Sequence, residues 1–543
     1  MILALSKELV AAMVQARVNC KFKLWYSDDF KCPHPAKRNS LCIFHLPKQT
    51  KDKKEQLQGA ELDAALRLEE EFLLKIEDLL EQFTTSSEIE FIDFRGFCFP
   101  SINWKGKEFF KKLDLQNATF YQDVHFDKAI FHEEADFHSV TFMDAANFHE
   151  AIFNGKADFG IAKFNQWAGF SEAVFREEAV FLTEFGATAY FHGSTFHRNA
   201  TFIDARFKGS AIFPKTTFKG EAWFLTVVFM DMANFIEATF DKKAIFSSSF
   251  FEQKTTFAGA LFSEQVSFRD STFSEDCSFK PYTRTCVLGE CDFRRLNLKA
   301  EAQINFHQVY LGKARFIDTD LLKINFRDIE WGASDSKWLS RSILWDEVCS
   351  LEEDDGERNY EKVAENYRQL VLNYEAKRDY DLAEAFHIGE MEMRRKKKGA
   401  HIKSSWLRWL REKLNAYWLY RLLSNYGTSY WQAFIMLKFL VLFFAATFLY
   451  SGFQPTKENI GSTDRIIEYN LIPDSTHHSV SFGKWLADYR EAILFALSII
   501  TFQRERFYVP VGWQSQLFLY LAVLVMTTQA ALLLLSIRRR FRR

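Results

Sequence analysis

Cysteine is sparse in this chain: eight residues in 543, scattered and without a secretory leader. A disulfide-stapled extracellular scaffold is therefore not indicated, and a reducing, cytosolic setting is expected for the bulk of the protein. Residues Met1 to Val18 begin apolar but are interrupted by Lys7, Glu8 and Arg17, so they read as an amphipathic helix rather than a signal peptide. Net charge is also nearly absent, at −2, and excludes little about partners. There is no glycine-rich phosphate loop, no nucleophile elbow, no triad spacing and no framed pair of carboxylates. The chain is accordingly expected not to be an enzyme.

What the chain has instead is phenylalanine, 59 of its residues, and most of it is periodic. Phe126, Phe137, Phe148, Phe159, Phe170 and Phe181 lie eleven apart. Phe131, Phe142, Phe153, Phe164 and Phe175 split each interval as five plus six. One residue is missing past Phe181, and the pattern resumes at Phe191 and runs to Phe279. A fixed period of this kind marks a stacked repeat array. A helix is the rival reading, but at about 100° per residue two phenylalanines five apart sit about 140° apart around the axis, so no single apolar face results. A small residue usually stands two places before each phenylalanine, as in Ala135-Asp136-Phe137 and Ala200-Thr201-Phe202. Two inward positions around one outward position are strand-like, closed by a corner after every fifth or sixth residue. That pattern is a β-solenoid.

With a small residue inward and Phe two residues on, the array closely resembles the pentapeptide-repeat family. The resemblance implies a mainly β fold, a right-handed quadrilateral β-helix in which two eleven-residue units make one coil. Phe126 to Phe279 would then form about seven coils, a rod of roughly 34 Å at ~4.8 Å per strand. The near-total choice of Phe suggests a wide bore packed by stacked rings.

Six segments follow. Residues 1–50 hold the cysteine and histidine residues Cys20, Cys32, His34, Cys42 and His45; Cys42-Ile43-Phe44-His45 can present two ligands to one tetrahedral ion, with Cys20 and Cys32 completing a structural zinc site. Buried thiols and a surface histidine are the alternative. Residues 51–90 contain a helix, about Leu57 to Gln82, whose stripe of Leu62, Leu66, Phe72, Leu73, Ile76 and Leu80 suits an α-helical cap on the first coil. Residues 91–328 form the solenoid, with Phe91 to Phe97 as its irregular start and loosely spaced Phe293, Phe306, Phe316 and Phe326 in its closing coils. Residues 329–400 contain a helical hairpin, about Arg358 to Lys377 and Asp381 to Lys397, similar to a single tetratricopeptide unit. Its Glu384, His387 and Glu390 share a face, but a ferritin-like site needs a second Glu-x-x-His helix, which is lacking.

Residues 401–428 follow a basic run, Arg394 to Lys398, and include Trp406, Trp409, Trp418, Arg408 and Arg411 on an amphipathic helix suited to a headgroup layer. Residues 429–543 form a transmembrane hairpin: Trp431 to Phe453 and Trp513 to Ile537 are each long enough to span the ~30 Å hydrocarbon layer. The basic flanks, including Arg538, Arg539, Arg540, Arg542 and Arg543, place both termini and the solenoid in the cytoplasm. Between the spans, Trp485 to Phe502 is a shorter apolar stretch broken by Asp488, Arg490 and Glu491. The order of span, re-entrant helix and span is similar to a two-transmembrane ion-channel subunit. Thr501, Gln503, Arg504, Glu505 and Arg506 would then stand at the pore mouth, without the Gly-Tyr-Gly carbonyl ladder that potassium selectivity requires.

Three functions compete. A membrane-anchored cytosolic scaffold would bind membrane lipid and a protein partner on the solenoid face. An oligomeric channel-like protein would assemble as a homo-oligomer, with the solenoid regulating a degenerate filter. A DNA-mimic inhibitor is the third, but residues 120–280 carry 14 basic against 22 acidic residues, a weak mimic, and no nucleic-acid partner is expected.

Overall fold

The computed structural model describes residues 41–49, 51–85, 90–283, 285–333, 341–349, 359–400, 406, 411, 415–455, 466–469, 482–501 and 508–541. The chain forms two compact units that divide after Glu352.

The first unit is a parallel β-solenoid. Alternation of inward and outward residues produces two-residue strands separated by corners, and Val124–His125, Ile130–Phe131, Ala135–Asp136 and Thr141–Phe142 make up one coil. The next coil lies 22 residues on, with Val124 opposite Ala146, Ile130 opposite Ile152, Ala135 opposite Ala157 and Thr141 opposite Lys163. One face carries eleven strands, from Ile102–Asn103 to Ile324–Arg327, and the face bearing Thr141–Phe142 carries ten. The other two faces merge into one sheet through the long strand Leu261–Ser267, which pairs with Thr239–Phe240 on one face and Ala244–Ile245 on the other. Eleven coils at ~4.8 Å give a rod of about 53 Å. The irregular start and closing coils thus extend the array beyond the seven regular turns.

Every phenylalanine of the periodic set is inward and sealed from solvent. Phe224 stacks on Phe202 and Phe246 at 4.7 Å with planes 2° and 7° apart, and meets Phe213 and Phe235 edge-on at 5.7 and 5.6 Å. Rings within a column lie face to face and rings of neighbouring columns meet edge to face, which satisfies the ring quadrupoles. The few hydroxyls in the bore are bonded to carbonyls: Thr216 Oγ1 donates to Phe191 O at 2.6 Å and Ser249 Oγ to Phe224 O at 2.5 Å. In the closing coils the strand offsets stretch to 25 and 27 residues, yet Phe293 still stacks on Phe268 and Phe306 on Phe279.

Two residues after most phenylalanines of the eleven-residue set, the chain turns through a left-handed residue, as at Lys128, Ser139, Glu150, Ile161 and Glu172. The corner from Phe181 to Phe185 is one residue short, and no residue in it has positive φ. The deletion therefore removes the left-handed residue and leaves the rings in place: Phe185 stacks between Phe164 at 5.2 Å and Phe207 at 4.7 Å.

Both ends of the bore are covered. A short helix α1, Lys51–Glu55, precedes Gly59 (φ 56), and α2, Ala60–Thr85, is the expected helix, with each end three residues later. Phe72, Ile76 and Leu80 of α2 are buried, and Phe72 meets Phe99 and Phe44 edge-on at 5.5 and 5.6 Å. At the far end Trp331 lies 5.2 Å from Phe326, and helix α3, Trp345–Cys349, brings Asp346 to the last coil.

The second unit is helical. Helices α4, Tyr360–Ala376, and α5, Tyr380–Ala400, form the expected hairpin around Tyr367, Tyr374 and Phe386. Gly389 lets them approach, since a Cβ there would lie 2.7 Å from the Tyr367 ring. Of the interfacial helix only α6, Ala416–Ser424, is described as a continuous helix; residues 407–410 and 412–414 lie outside the described residues. Helices α7, Tyr430–Ser451, and α9, Gly512–Arg540, are each long and apolar enough to cross a membrane. They are antiparallel: Tyr430 meets Phe541 at one end, and the strand Phe453–Pro455 pairs with Tyr508–Pro510 at the other. Helix α8, Phe482–Ile500, runs in the same direction as α7, because Tyr489 Oη donates to Leu442 O at 3.0 Å and Phe495 lies 4.5 Å from Phe448, a constant offset of 47 residues.

Candidate functional site

A bore filled with rings leaves chemistry to the outer surface. On the eleven-stranded face the outward residue of each strand commonly closes its own corner. Asn147 Oδ1 accepts from His149 N at 3.1 Å and Asn234 Oδ1 from Ile236 N at 3.0 Å. Short polar side chains suit this role because they reach the amide two residues on. Three consecutive coils depart from it, with Gly169, Tyr190 and Ile212 in register after Asn147.

The departure makes a notch of 320 Å³ lined by Asn147, His149, Trp167, Gly169, Ser171 and Tyr190. A Cβ on residue 169 would stand 2.9 Å from Asn147 Oδ1 and 3.1 Å from the Trp167 ring, so glycine is what lets the indole lie close against the strand. Trp167 and Tyr190 are 40% and 41% exposed, unusual for rings with a strand surface available to cover them. Rigid aromatic walls over a polar floor are suited to holding another protein's side chains. The sequence signal for this notch was an outward aromatic near a glycine; the inward phenylalanines masked it.

The residues singled out from sequence are not brought into one site. Cys42 and His45 do meet: Sγ lies 3.1 Å from Nδ1, both side chains are buried, and His45 Nε2 lies 3.2 Å from Arg95 O. A carbonyl only accepts, so Nε2 carries the ring proton and Nδ1 faces the thiol as acceptor. Cys20 and Cys32 lie outside the described residues, and no group of three metal-binding side chains occurs among the described ones. In α5, Glu390 is paired with Arg394 at 2.6 Å and Glu384 lies 3.8 Å from Arg540, so these carboxylates face arginines. Thr501 Oγ1 donates to Ser498 O at 3.2 Å within its helix, while Gln503, Arg504, Glu505 and Arg506 lie outside the described residues. Burial pushes the Cys98 thiol up to about 11 and also raises Cys277 and Cys291 well above the ordinary thiol value, which leaves these thiols protonated.

The family model for pentapeptide repeats matches residues 181–227 and 235–281, with nine copies of the repeat. These segments of the solenoid are pentapeptide repeats. No curated protein and no solved structure matches the chain. The matched pentapeptide-repeat segments cover the later regular coils, and the same register runs unbroken back through Asn147 and Val124. On this pentapeptide-repeat rod the acidic residues are interleaved with lysines from adjacent coils, as in Lys208–Glu184 at 2.6 Å and Lys242–Glu264 at 2.7 Å. Such pairing dilutes the continuous negative surface that resemblance to DNA requires.

Proposed function

We propose that the protein is a membrane-tethered scaffold whose solenoid docks a cytosolic protein partner at the notch walled by Trp167 and Tyr190. The observation that carries this reading is the notch formed where Gly169 and Tyr190 follow Asn147 in register, which leaves the rings of Trp167 and Tyr190 exposed. Helices α7 and α9 supply the tether. Their outward sides carry Phe439, Tyr520 and Leu524, a surface that suits lipid, and the basic tail from Arg538 holds both termini on the cytoplasmic side.

The channel reading draws less support. A re-entrant helix that leaves the outer end of the first span and dips into the bilayer runs opposite to that span. Helix α8 runs with α7, its C-terminal end towards the strand pair.

A photo-crosslinking residue placed at Tyr190 in cells tests the scaffold. A discrete crosslinked protein, lost on Trp167→Ala and absent when the probe replaces Lys242, is the expected result. A diffuse smear, or a band indifferent to Trp167, overturns the docking site. Alkaline carbonate extraction tests the tether separately: the chain is expected in the membrane pellet, and recovery in the supernatant overturns it.

A further inference from the structure

Beyond the notch, the same face changes character towards the end of the rod. A groove of 510 Å³ opens there, bordered by Lys254, Lys280, His307 and Arg327, with Asp276 on its wall. Pairing fixes its floor: Thr256, Ser278, Asn305 and Asn325 stand opposite one another on four successive coils. They form a column of hydroxyls and amides about 4.8 Å apart. Phe279 pairs with Phe306, and His307 with Arg327. Lys280, His307 and Arg327, each next after an inward phenylalanine, therefore line up as a second column, of basic side chains, and Lys254 lines the groove two residues before Thr256.

The charges here are not balanced as they are elsewhere. Lys208, Lys242 and Lys313 each reach a glutamate of an adjacent coil. Lys254 and Lys280 have no carboxylate partner among the described residues. Asp328 approaches His307 at 3.4 Å and Arg327 at 3.6 Å. Three Lys and Arg side chains against Asp276 on the wall and Asp328 beside Arg327 still leave the groove net positive, on a rod whose regular coils are acidic. Cations held on neighbouring coils repel one another unless an anion lies between them.

We propose that this groove is a binding site for a soluble, phosphate-bearing small molecule. Several cations on different coils, with hydroxyl and amide donors between them, match an anion with many acceptor oxygens better than a single planar carboxylate. The volume falls in the usual range for small-molecule sites, roughly 300–1,000 Å³. Met232 is the one exposed apolar side chain along the groove, so acyl chains find no bed and a lipid is not the ligand. The site is independent of the notch and of the tether.

The test is calorimetric titration of the full chain in detergent micelles with pyrophosphate at low ionic strength. Saturable binding is expected, weakened about tenfold by Lys280→Gln and by Arg327→Gln, the loss of one charge-assisted hydrogen bond. Lys242→Gln, already paired with Glu264, is expected to bind as the parent does, and melting temperatures of the three variants check that the fold is kept. Absence of saturable heat, or equal affinity in Lys280→Gln and Arg327→Gln, overturns the proposal. So does Lys280-dependent sedimentation with phosphatidate vesicles in a protein that ignores pyrophosphate, which would make the ligand a lipid.

Discussion

Asp346 closes the last coil of the solenoid by accepting a hydrogen bond from the Phe316 amide at 2.7 Å, with its carboxylate fully buried. Burial pushes its pKa up to about 7, against the opposing pull of that amide and of Arg315. The folded protein therefore keeps a proton that the unfolded chain has lost above the ordinary aspartate value near about 3.9. Stability from this group is full below that value and is lost as pH rises through about 7. Asp346→Asn keeps the acceptor oxygen and cannot ionise. Urea unfolding at pH 4 and pH 8 should show the parent losing up to ~4 kcal/mol relative to Asp346→Asn across that interval. A difference that does not change with pH would mean that Asp346 titrates as an exposed carboxylate.

Phe224→Ala should cost roughly 3–5 kcal/mol, because the ring is held on four sides by Phe202, Phe246, Phe213 and Phe235 and the coil cannot collapse onto the gap. Chemical denaturation checks this, and a loss under about 1 kcal/mol would contradict an inward ring.

Ile161 occupies a left-handed corner, φ 56, with its side chain exposed. A β-branched residue is a poor occupant of that conformation and asparagine a good one. Ile161→Asn should stabilise the rod by about 1 kcal/mol, read as a rise in unfolding midpoint. A residue inserted between Leu182 and Thr183 should be tolerated, since it restores the length of the other corners.

Glu392 ties α5 to the turn after α6: it accepts from Tyr426 Oη at 2.9 Å, pairs with Arg395 at 2.9 Å and lies 3.2 Å from Arg421. Burial opposes its charge, but the two arginines hold its carboxyl below the usual range, so it stays ionised. Glu392→Ala strands Arg395 and the Tyr426 hydroxyl and should cost roughly 3–5 kcal/mol in this unit, whereas Tyr426→Phe should cost about 1 kcal/mol. Limited proteolysis near Asn425 reports both, and equal resistance in the two variants would refute the network's role.

The sequence by itself determined the solenoid, its inward residues and its two apolar helices. Each is a periodicity or a length, and a core that repeats every 22 residues admits one register: a slip by one residue would turn Phe224 and its neighbours to water. The capping stripe of Phe72, Ile76 and Leu80 was legible for the same reason. Tertiary structure alone decided what the outward residues do. The notch at Gly169 joins residues of neighbouring coils, the basic column of Lys280, His307 and Arg327 joins three coils, and the direction of α8 depends on contacts 47 residues distant. None of these follows from local pattern, because outward positions are under no common burial constraint and carry no period. The shortened corner after Phe181 shows the division: the missing residue is visible in the sequence, but only the folded coil shows that it came out of the corner and left Phe185 in the stack.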